Sequence, residues 1–354
     1  MRSHLEATLA AALLAAGLCA QTYSPKHFKD WPGDLSTPYP FSYNATALTT
    51  LRMQQVHDDL TGTPLTITGM ALRRVAVLSG VLPVPIPSKL MTMKVTLAPA
   101  VAPATATTNW ATNYTSAGTV VYSGQLSTPS SWMLPPRNAP AIFDMGIPFQ
   151  ANFAYTGSGP FLWDCDVTAA STTDRVTLDL GQSAFMLYAW CAYDMYGNGC
   201  SYAGAEVQIR GRGQTVLSPV NQFSIVSSTL NAPANAVATV LIGNTQLAQP
   251  VPGLCSNVYT NALATLGGTT DATGKWEPYF GVPYNAAYVG FPLTMQSAVV
   301  DASRPGIPVA VSNGLVYKPA PPQPAFSVAM VTGTTGSAAA TSAITGRATP
   351  VKFN

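Results

Sequence analysis

Charged residues and histidine are scarce in this chain, and their scarcity excludes several functions. Only 9% of the 354 residues are charged, and there are three histidines, whereas about 25% of residues are charged in an average globular protein. The formal net charge is +2, and no basic patch of the kind that nucleic-acid binding needs is present. The densest basic cluster, Arg210-Gly211-Arg212, is explained as well by an exposed loop as by a ligand. We expect no nucleic-acid partner.

Catalytic signatures are missing too. After the first 20 residues only His27 and His57 remain, so a Ser-His-Asp or Cys-His site would have to use one of them. His57 stands beside Asp58 and Asp59, but neighbours along a strand point to opposite faces, and we interpret the run as a polar strand end. No Gly-x-Ser-x-Gly elbow, phosphate loop or dinucleotide fingerprint is present. We expect no enzymatic activity, and a secreted hydrolase is the third-ranked alternative.

A short apolar run stands at the start of the chain. Residues 1–20 combine a basic start at Arg2, an apolar stretch and a small residue, Ala20, at the break, which is typical of a secretory signal peptide. The run is shorter than the ~20 residues that span a bilayer, and we expect no transmembrane segment. The predicted mature protein starts at Gln21 and is secreted, either extracellular or at the cell surface. A lipid anchor on Cys19 is the alternative.

Four cysteines follow the predicted signal peptide, an even number that is typical of disulfide bonding in an oxidising compartment. They are Cys165, Cys191, Cys200 and Cys255. Four cysteines allow three pairings, and the absence of a CxxC spacing disfavours a zinc site. Cys165 and Cys191 both fall on apolar faces of predicted strands. A bridge there would close a loop of about 25 residues, worth ~3 kcal/mol if the effect is chain entropy.

Short segments of alternating apolar and polar residues run through most of the chain. The clearest are Met91–Leu97, Phe143–Phe149, Phe161–Val167 and Val176–Leu180. A period of two residues predicts half-buried antiparallel strands, and 30 Pro and 28 Gly predict frequent turns between them. The predicted fold is all-β, with two tandem antiparallel β-sandwich domains of the jelly-roll or immunoglobulin-like type and two disulfides.

The predicted organisation has five parts, with a boundary near the turn-rich segment Tyr196–Cys200. They are a signal peptide (1–20), an extended leader (21–48), an N-terminal sandwich (49–195), a C-terminal sandwich (196–318) and a Pro-rich spacer with a low-complexity tail (319–354). Two interpretations of the tail stay open. Its two ends, Ser327–Val331 and Ala348–Phe353, pair as edge strands in one, and the tail is disordered in the other.

Several motifs occur in order in the second half of the chain. They are Tyr196–Cys200 (YGNGC), Pro252–Cys255 (PGLC), Asp271–Trp276 (DATGKW), Val282–Gly290 (VPYNAAYVG) and Val311–Leu315 (VSNGL). Together they resemble the C-terminal β-sandwich module of large sets of uncharacterised secreted proteins in planctomycete-like bacteria, over residues 196–318. The resemblance implies an exported bacterial protein with a Cys200–Cys255 disulfide and, for the other two cysteines, a Cys165–Cys191 disulfide. It implies no activity.

A looser resemblance to the domain that often precedes this module covers the N-terminal part. The matching segments are Leu51–Val56, Ile67–Arg74, Pro148–Phe149 and Phe161–Asp164. This chain departs from the family pattern at Cys165, where the family usually has an aliphatic residue. It also departs in its tail, which is longer past residue 320 than the resemblance implies.

Aromatic residues provide the candidates for ligand binding. Trp110 and Trp132 lie in segments rich in Thr, Ser, Asn and Pro, where exposed aromatic rings bind glycans in many sandwich modules. With Tyr114 and Trp190 they are candidates for a sugar-stacking platform. Burial under a loop is nevertheless the expected state for any one of these tryptophans.

Paired carboxylates suggest one metal alternative. Asp164 and Asp166 share one face of a predicted strand, and calcium binding there would need further oxygen ligands to converge on them. The sequence therefore predicts a secreted, non-enzymatic structural or adhesive protein without a cofactor. The alternative is a carbohydrate-binding module, with or without calcium. Glycans and self-association are the partners considered.

Overall fold

The computed structural model describes residues 21–33, 35–44, 49–76, 85–183, 188–218 and 220–354. The predicted signal peptide lies outside these residues. Within them the predicted all-β class is confirmed, because the strands form several antiparallel sheets. The helices described are single 3₁₀ turns: Lys26–Lys29, Pro103–Thr105, Trp110–Asn113, Ser130–Met133 and Ala286–Tyr288. In the described part of the chain, no helix has the length and hydropathy that crossing a membrane requires.

Eleven strands precede residue 183. They are β1 (Thr22–Ser24), β2 (Leu35–Thr37), β3 (Tyr43–Asn44), β4 (Thr49–His57), β5 (Leu65–Leu72), β6 (Leu90–Pro99), β7 (Thr119–Ser127), β8 (Asn138–Ala139), β9 (Met145–Tyr155), β10 (Phe161–Ala170) and β11 (Leu178–Gln182). The predicted alternation is confirmed in β6, where Met91, Met93, Val95 and Leu97 are buried and Lys94 is exposed.

Fourteen strands are described between residues 188 and 318. They are β12 (Tyr188–Trp190), β13 (Ala192–Tyr196), β14 (Ser201–Tyr202), β15 (Ala205–Glu206), β16 (Gln208–Val216), β17 (Gln222–Leu230), β18 (Val237–Gly243), β19 (Gln246–Gln249), β20 (Val258–Thr260), β21 (Ala264–Thr269), β22 (Tyr279–Pro283), β23 (Leu293–Val300), β24 (Val309–Val311) and β25 (Gly314–Lys318). They form a sheet in the order β12-β16-β17-β22 and a second in the order β21-β18-β23-β25-β13-β8, with β24 on β23. Two short hairpins, β14-β15 and β19-β20, complete the set.

The last strands return to the first part of the chain. They are β26 (Val328–Thr334), β27 (Ser342–Thr345), β28 (Arg347–Ala348) and β29 (Val351–Phe353). The resulting sheets have the orders β27-β26-β4-β10-β6-β7, with β3 on β4, then β1-β29-β5-β9, and β2-β11-β28. The tail is therefore ordered, and β26 and β29 are internal strands rather than the edge strands considered from the sequence.

Two main apolar cores follow from these pairings. The first includes Met53 and Trp163 from the sheet that contains β4, and Met70 and Phe353 from the sheet that contains β5, so the apolar faces of these two sheets share one core. The second is built around Ile209 and the strands β12–β25. Removal of apolar faces from water is the main stabilisation available to such sheets.

Glycines let the sheets of the second core approach closely. A Cβ atom added to Gly213 in β16 would lie 1.6 Å from the Tyr317 hydroxyl oxygen, and one added to Gly211 would lie 3.0 Å from Leu315. The inward side of β16 therefore carries little side-chain volume, and its outward side carries Arg210, Arg212 and Gln214. The Arg210–Arg212 segment is part of a strand, not the exposed loop considered from the sequence.

The cysteines correct one prediction. The Cys200–Cys255 disulfide is present, with its Cα atoms 5.4 Å apart, as the resemblance implied. Cys165 and Cys191 are free and buried, so the predicted second disulfide is wrong. The physical reason is that Cys165 packs in the first core and Cys191 in the second. Each thiol behaves as a small apolar side chain, and burial raises its pKa.

A buried ion pair holds the leader against the first sheets. The Arg73 guanidinium lies 2.7 Å from Asp179 and donates hydrogen bonds to the carbonyl oxygens of Phe28 (2.6 Å) and Trp31 (2.7 Å). The Asp179 carboxylate also accepts from the Gly33 N–H at 3.0 Å. Both charged side chains are fully or nearly fully buried. This stretch of the leader is therefore fixed by hydrogen bonds.

Candidate ligand-binding site

Trp132 is not available to a ligand. It lies in the 3₁₀ turn Ser130–Met133 and is 0% exposed. Its indole Nε1 donates to Asp144 Oδ1 at 2.6 Å, and the Ser131 hydroxyl donates to the other oxygen of the same carboxylate. The candidate ligand-binding role of Trp132 is therefore contradicted, and the burial expected for a single tryptophan is found instead. The ring anchors its loop to the first core, because burial of a large aromatic surface stabilises the folded state.

Trp110 and Tyr114 lie together, but in an arrangement that does not suit sugar stacking. Trp110 is 4% exposed, and the Arg52 guanidinium carbon lies 4.6 Å from the centre of its ring. A Cβ atom on Gly333 would lie 3.0 Å from the ring edge. A cation–π contact and the returning strand β26 therefore cover this ring. Trp110 is buried, as expected for a single tryptophan, and the exposed ring that its candidate binding role needs is not found.

A buried carboxylate organises the residues beneath Trp110. Asp164 accepts hydrogen bonds from Arg52 Nε (2.9 Å), the Gln54 amide (2.8 Å) and the Tyr114 hydroxyl (2.5 Å). Burial and the adjacent carboxylate raise the pKa of Tyr114, so that its hydroxyl remains a donor. A surface cavity of about 500 Å³ lies beside this cluster. The cluster holds the Trp110–Asn113 turn in place, and its donors and acceptors are used for that purpose.

The carboxylates considered for calcium do not converge. Asp164 is surrounded by hydrogen-bond donors, and Asp166 follows it on β10. Among the residues that the structure describes, no three His, Cys, Asp or Glu side chains lie close enough together to hold a metal ion. The described geometry therefore gives the calcium alternative no site at Asp164.

His57 is near a serine and a carboxylate, although not in the arrangement that nucleophilic catalysis needs. Its Nδ1 lies 2.6 Å from Ser24 Oγ, and Ser24 donates to Asp59 at 2.7 Å. The amide nitrogen of Gln55 lies 3.1 Å from His57 Nε2. Because an amide nitrogen only donates, Nε2 accepts, and the ring proton is on Nδ1 and points at Ser24.

A general base must accept the serine proton, and here the hydrogen-bond direction is the opposite. Ser24 and His57 are also 0% exposed, so a substrate has no access to them. Gln55 continues the network to the backbone of Thr349, where it both donates (2.9 Å) and accepts (2.7 Å). The cluster thus connects β1, β4 and the returning tail, and its geometry indicates a structural role.

The outward face of β16 and β17 carries a different set of side chains. In the antiparallel register, Trp190 pairs with Gln214 and Gln214 pairs with Ser224. In the next row on this face, Arg212 pairs with Val226, and Val226 pairs with Tyr279. Because side chains two residues apart on a strand share a face, these two rows form one surface.

This surface contains a groove of about 430 Å³, a size that suits a small-molecule or oligosaccharide ligand. We name it the Trp190 groove; it is lined by Trp190, Arg212, Gly213, Gln214, Val216, Val220, Gln222, Ser224, Val226 and Tyr279. Tyr279 is 58% exposed. Trp190 is partly buried and packs against the second core, and its indole nitrogen is itself buried, so it offers the groove part of its ring. Aromatic rings and polar donors therefore share one open depression.

A glycine on the edge strand shapes the floor of this groove. A Cβ atom on Gly281 would lie 2.6 Å from the Gln222 amide oxygen, so the missing side chain leaves room for Gln222. The Gln222 amide donates to the Ser224 hydroxyl at 3.0 Å and to the hydroxyl of Tyr279. These contacts fix the orientation of Tyr279 and leave the amide oxygen of Gln222 as an acceptor in the groove.

The sequence singled out two residues of this groove, Trp190 among the aromatic candidates and Arg212 within the basic cluster, and missed the others. Tyr279, Gln214 and Gln222 lie in segments that resemble ordinary amphipathic strands, and only the pairing of β22 with β17 brings them together. A comparison with protein-family models finds no family that matches the chain, and a comparison with curated proteins finds no match. The assignment of this candidate site therefore rests on its geometry alone.

Proposed function

We propose that this protein is a secreted, non-enzymatic adhesive protein that binds a carbohydrate in the Trp190 groove. The observation that carries the proposal is the presence of Trp190 and Tyr279 beside amide, hydroxyl and guanidinium groups in one solvent-facing groove. Aromatic rings pack against the C–H faces of sugars, and amides and hydroxyls exchange hydrogen bonds with sugar hydroxyls. The one disulfide is compatible with an extracellular location.

In this proposal the two sets of sheets are two β-sandwich domains. The domain around the second core, made mostly of β12–β25, is inserted between β11 and β26 of the first. The separation of the two main cores supports this division. The groove lies on the outward face of β16 and β17, and Trp190 connects it to the edge of the second core.

A glycan-array screen of the folded protein, residues 21–354, tests the proposal. We expect specific binding that falls roughly tenfold in each of Trp190→Ala and Tyr279→Ala, because one aromatic contact contributes about 1 kcal/mol or more. Tyr288→Ala is the matched control, since Tyr288 is an exposed aromatic outside the groove. A screen with EDTA separates calcium-assisted from calcium-independent binding. The absence of any glycan binding to the folded protein would refute the proposal.

An open strand edge favours self-association as a second candidate function. Strand β21 ends its sheet, no other strand of the described residues pairs with its free edge, and its sequence ATLGGT has neither charge nor proline. Such an edge can pair with another chain. Light scattering over a range of concentrations tests this, with Thr265→Lys expected to reduce any oligomer. A monomer at every concentration would refute it.

A further inference from the structure

The lining of the Trp190 groove contains a positively charged side chain and no carboxylate. Of the residues that line it, Arg212 is the only one of the types Lys, Arg, Asp, Glu and His. Arg212 makes no hydrogen bond or ion pair with any described residue. In a chain with only 9% charged residues, an arginine in a groove without carboxylates is a candidate for binding an anionic ligand.

Three of the other partly or fully buried arginines are paired with a carboxylate, whereas Arg210 and Arg347 donate to amide oxygens. Arg52 binds Asp164 at 2.5 Å, Arg73 binds Asp179 at 2.7 Å, and Arg304 binds Asp301 at 2.9 Å. In each pair the carboxylate compensates the guanidinium for lost water. Arg212 is on the same kind of strand surface but has no such partner, and its five N–H donors remain available.

Arg212 attracts one carboxylate, Glu277, whose pKa its charge helps to lower, but the two side chains form no ion pair. Arg210, two residues earlier on the same face, donates only to the Gln208 amide oxygen, at 3.2 and 3.3 Å, and its Nη1 is buried without a partner. The nearby Glu277 carboxylate accepts from the Ser228 hydroxyl at 2.7 Å and lies 2.9 Å from the Lys275 ammonium. Two guanidinium groups therefore face the same side of β16, and the acid beside them is already paired with a lysine.

We propose that the Trp190 groove binds an acidic saccharide and that Arg212 binds its anionic group. This inference rests on the proposed carbohydrate-binding function and specifies its ligand class. A guanidinium presents two parallel N–H donors that match the two oxygens of a carboxylate or sulfate. Trp190 and Tyr279 would pack against the sugar ring, and Gln214 would reach its hydroxyl groups.

Matched pairs of oligosaccharides test the ligand class by calorimetry on the folded protein. One pair is hexagalacturonate and its fully methyl-esterified form, which differ in charge but share a backbone. The other is a sulfated carrageenan hexasaccharide and its desulfated form. We expect the acidic member of at least one pair to bind roughly tenfold or more tightly, since hydrogen bonds to charged groups are the stronger ones. Comparison of the two pairs distinguishes a uronate from a sulfate ester.

Substitutions assign the preference to Arg212. Arg212→Gln should abolish the preference for the acidic member and leave the affinity for the neutral member unchanged, and Arg212→Lys should restore part of it. Arg175→Gln is the control, because Arg175 is exposed outside the groove and the net charge changes equally. The affinity for the acidic member should also fall as salt rises.

The outcomes separate the two proposals. If neutral glycans bind as tightly as acidic ones, or if Arg212→Gln keeps the preference, the acidic-ligand inference is wrong and carbohydrate binding stands. If Arg175→Gln removes the preference as fully as Arg212→Gln, overall charge rather than the groove is responsible, and the inference is again wrong. If no saccharide of either kind binds to the folded protein, both proposals fail.

Discussion

The buried pair Arg73–Asp179 predicts a strongly non-additive response to mutation. In Asp179→Leu, the Arg73 guanidinium stays buried without its carboxylate, and we expect a loss of about 3–5 kcal/mol in the free energy of unfolding. Arg73→Met should cost a similar amount, because Asp179 keeps only the Gly33 N–H as a partner. Burial lowers the pKa of Arg73 although Asp179 opposes this shift, which shows how strongly this site disfavours an unpaired charge.

The double variant Arg73→Met/Asp179→Leu removes both charges together. It leaves three backbone groups without partners, the Gly33 N–H and the carbonyl oxygens of Phe28 and Trp31. At about 1 kcal/mol for each lost hydrogen bond, we expect a total cost of about 3 kcal/mol. The sum of the two single variants is about 6–10 kcal/mol, so the coupling energy should be about 3 kcal/mol or more.

Urea unfolding of the four proteins, followed by tryptophan fluorescence and by circular dichroism, measures this cycle. Coincident transitions by the two probes are needed for the free energies to be comparable. Single variants that each cost less than 1 kcal/mol, or costs that simply add, would refute the argument that the pair is a buried unit fixing the leader.

Three further predictions concern thiols, pH and the tail. In the protein of residues 21–354, a thiol reagent should react with Cys165 and Cys191 only after unfolding, since both are buried and free. If the denatured protein showed no reactive thiol, the structure would be contradicted. Burial, with the Arg73 charge, lowers the pKa of His27 to about 4, so as the pH falls His27 takes up a proton in the unfolded chain before it does so in the folded protein. The free energy of unfolding should therefore decrease by about 2 kcal/mol as the pH falls from 7 to 5. In urea titrations, His27→Gln should remove this part of the pH dependence, and an unchanged dependence would exclude His27 as its source. Deletion of residues 326–354 should prevent folding of the first sheets, as seen by circular dichroism and proteolysis, because β26 and β29 are internal strands; a stable folded product would contradict this.

Much of the fold follows from local sequence patterns. The alternation at Met91–Leu97 predicts strand β6, and that at Phe161–Val167 predicts β10; both strands have buried apolar faces. Alternation does not specify which core a face packs against. Cys165 and Cys191 both point inward, as expected, but into different cores.

The candidate site is harder to predict, because it depends on long-range pairing. Trp110 and Trp132 stand in polar segments, yet the returning β26 helps cover Trp110, and the core encloses Trp132. Tyr279 carries no local sign of function and joins the groove only through its pairing with Val226. Local composition therefore predicts exposure poorly wherever a distant segment covers the chain.

The pairing of β1 with β29, in which Thr22 lies opposite Phe353, has a consequence for biosynthesis. During synthesis β4 and β5 emerge long before β26 and β29, the neighbours that complete their sheets. The strands β12–β25 pair almost wholly among themselves, so they can fold before β26 and β29 are available to the earlier strands. The first sheets can close only after β29 has been made, about 280 residues after β5, which leaves an interval in which their unpaired edges need protection from aggregation.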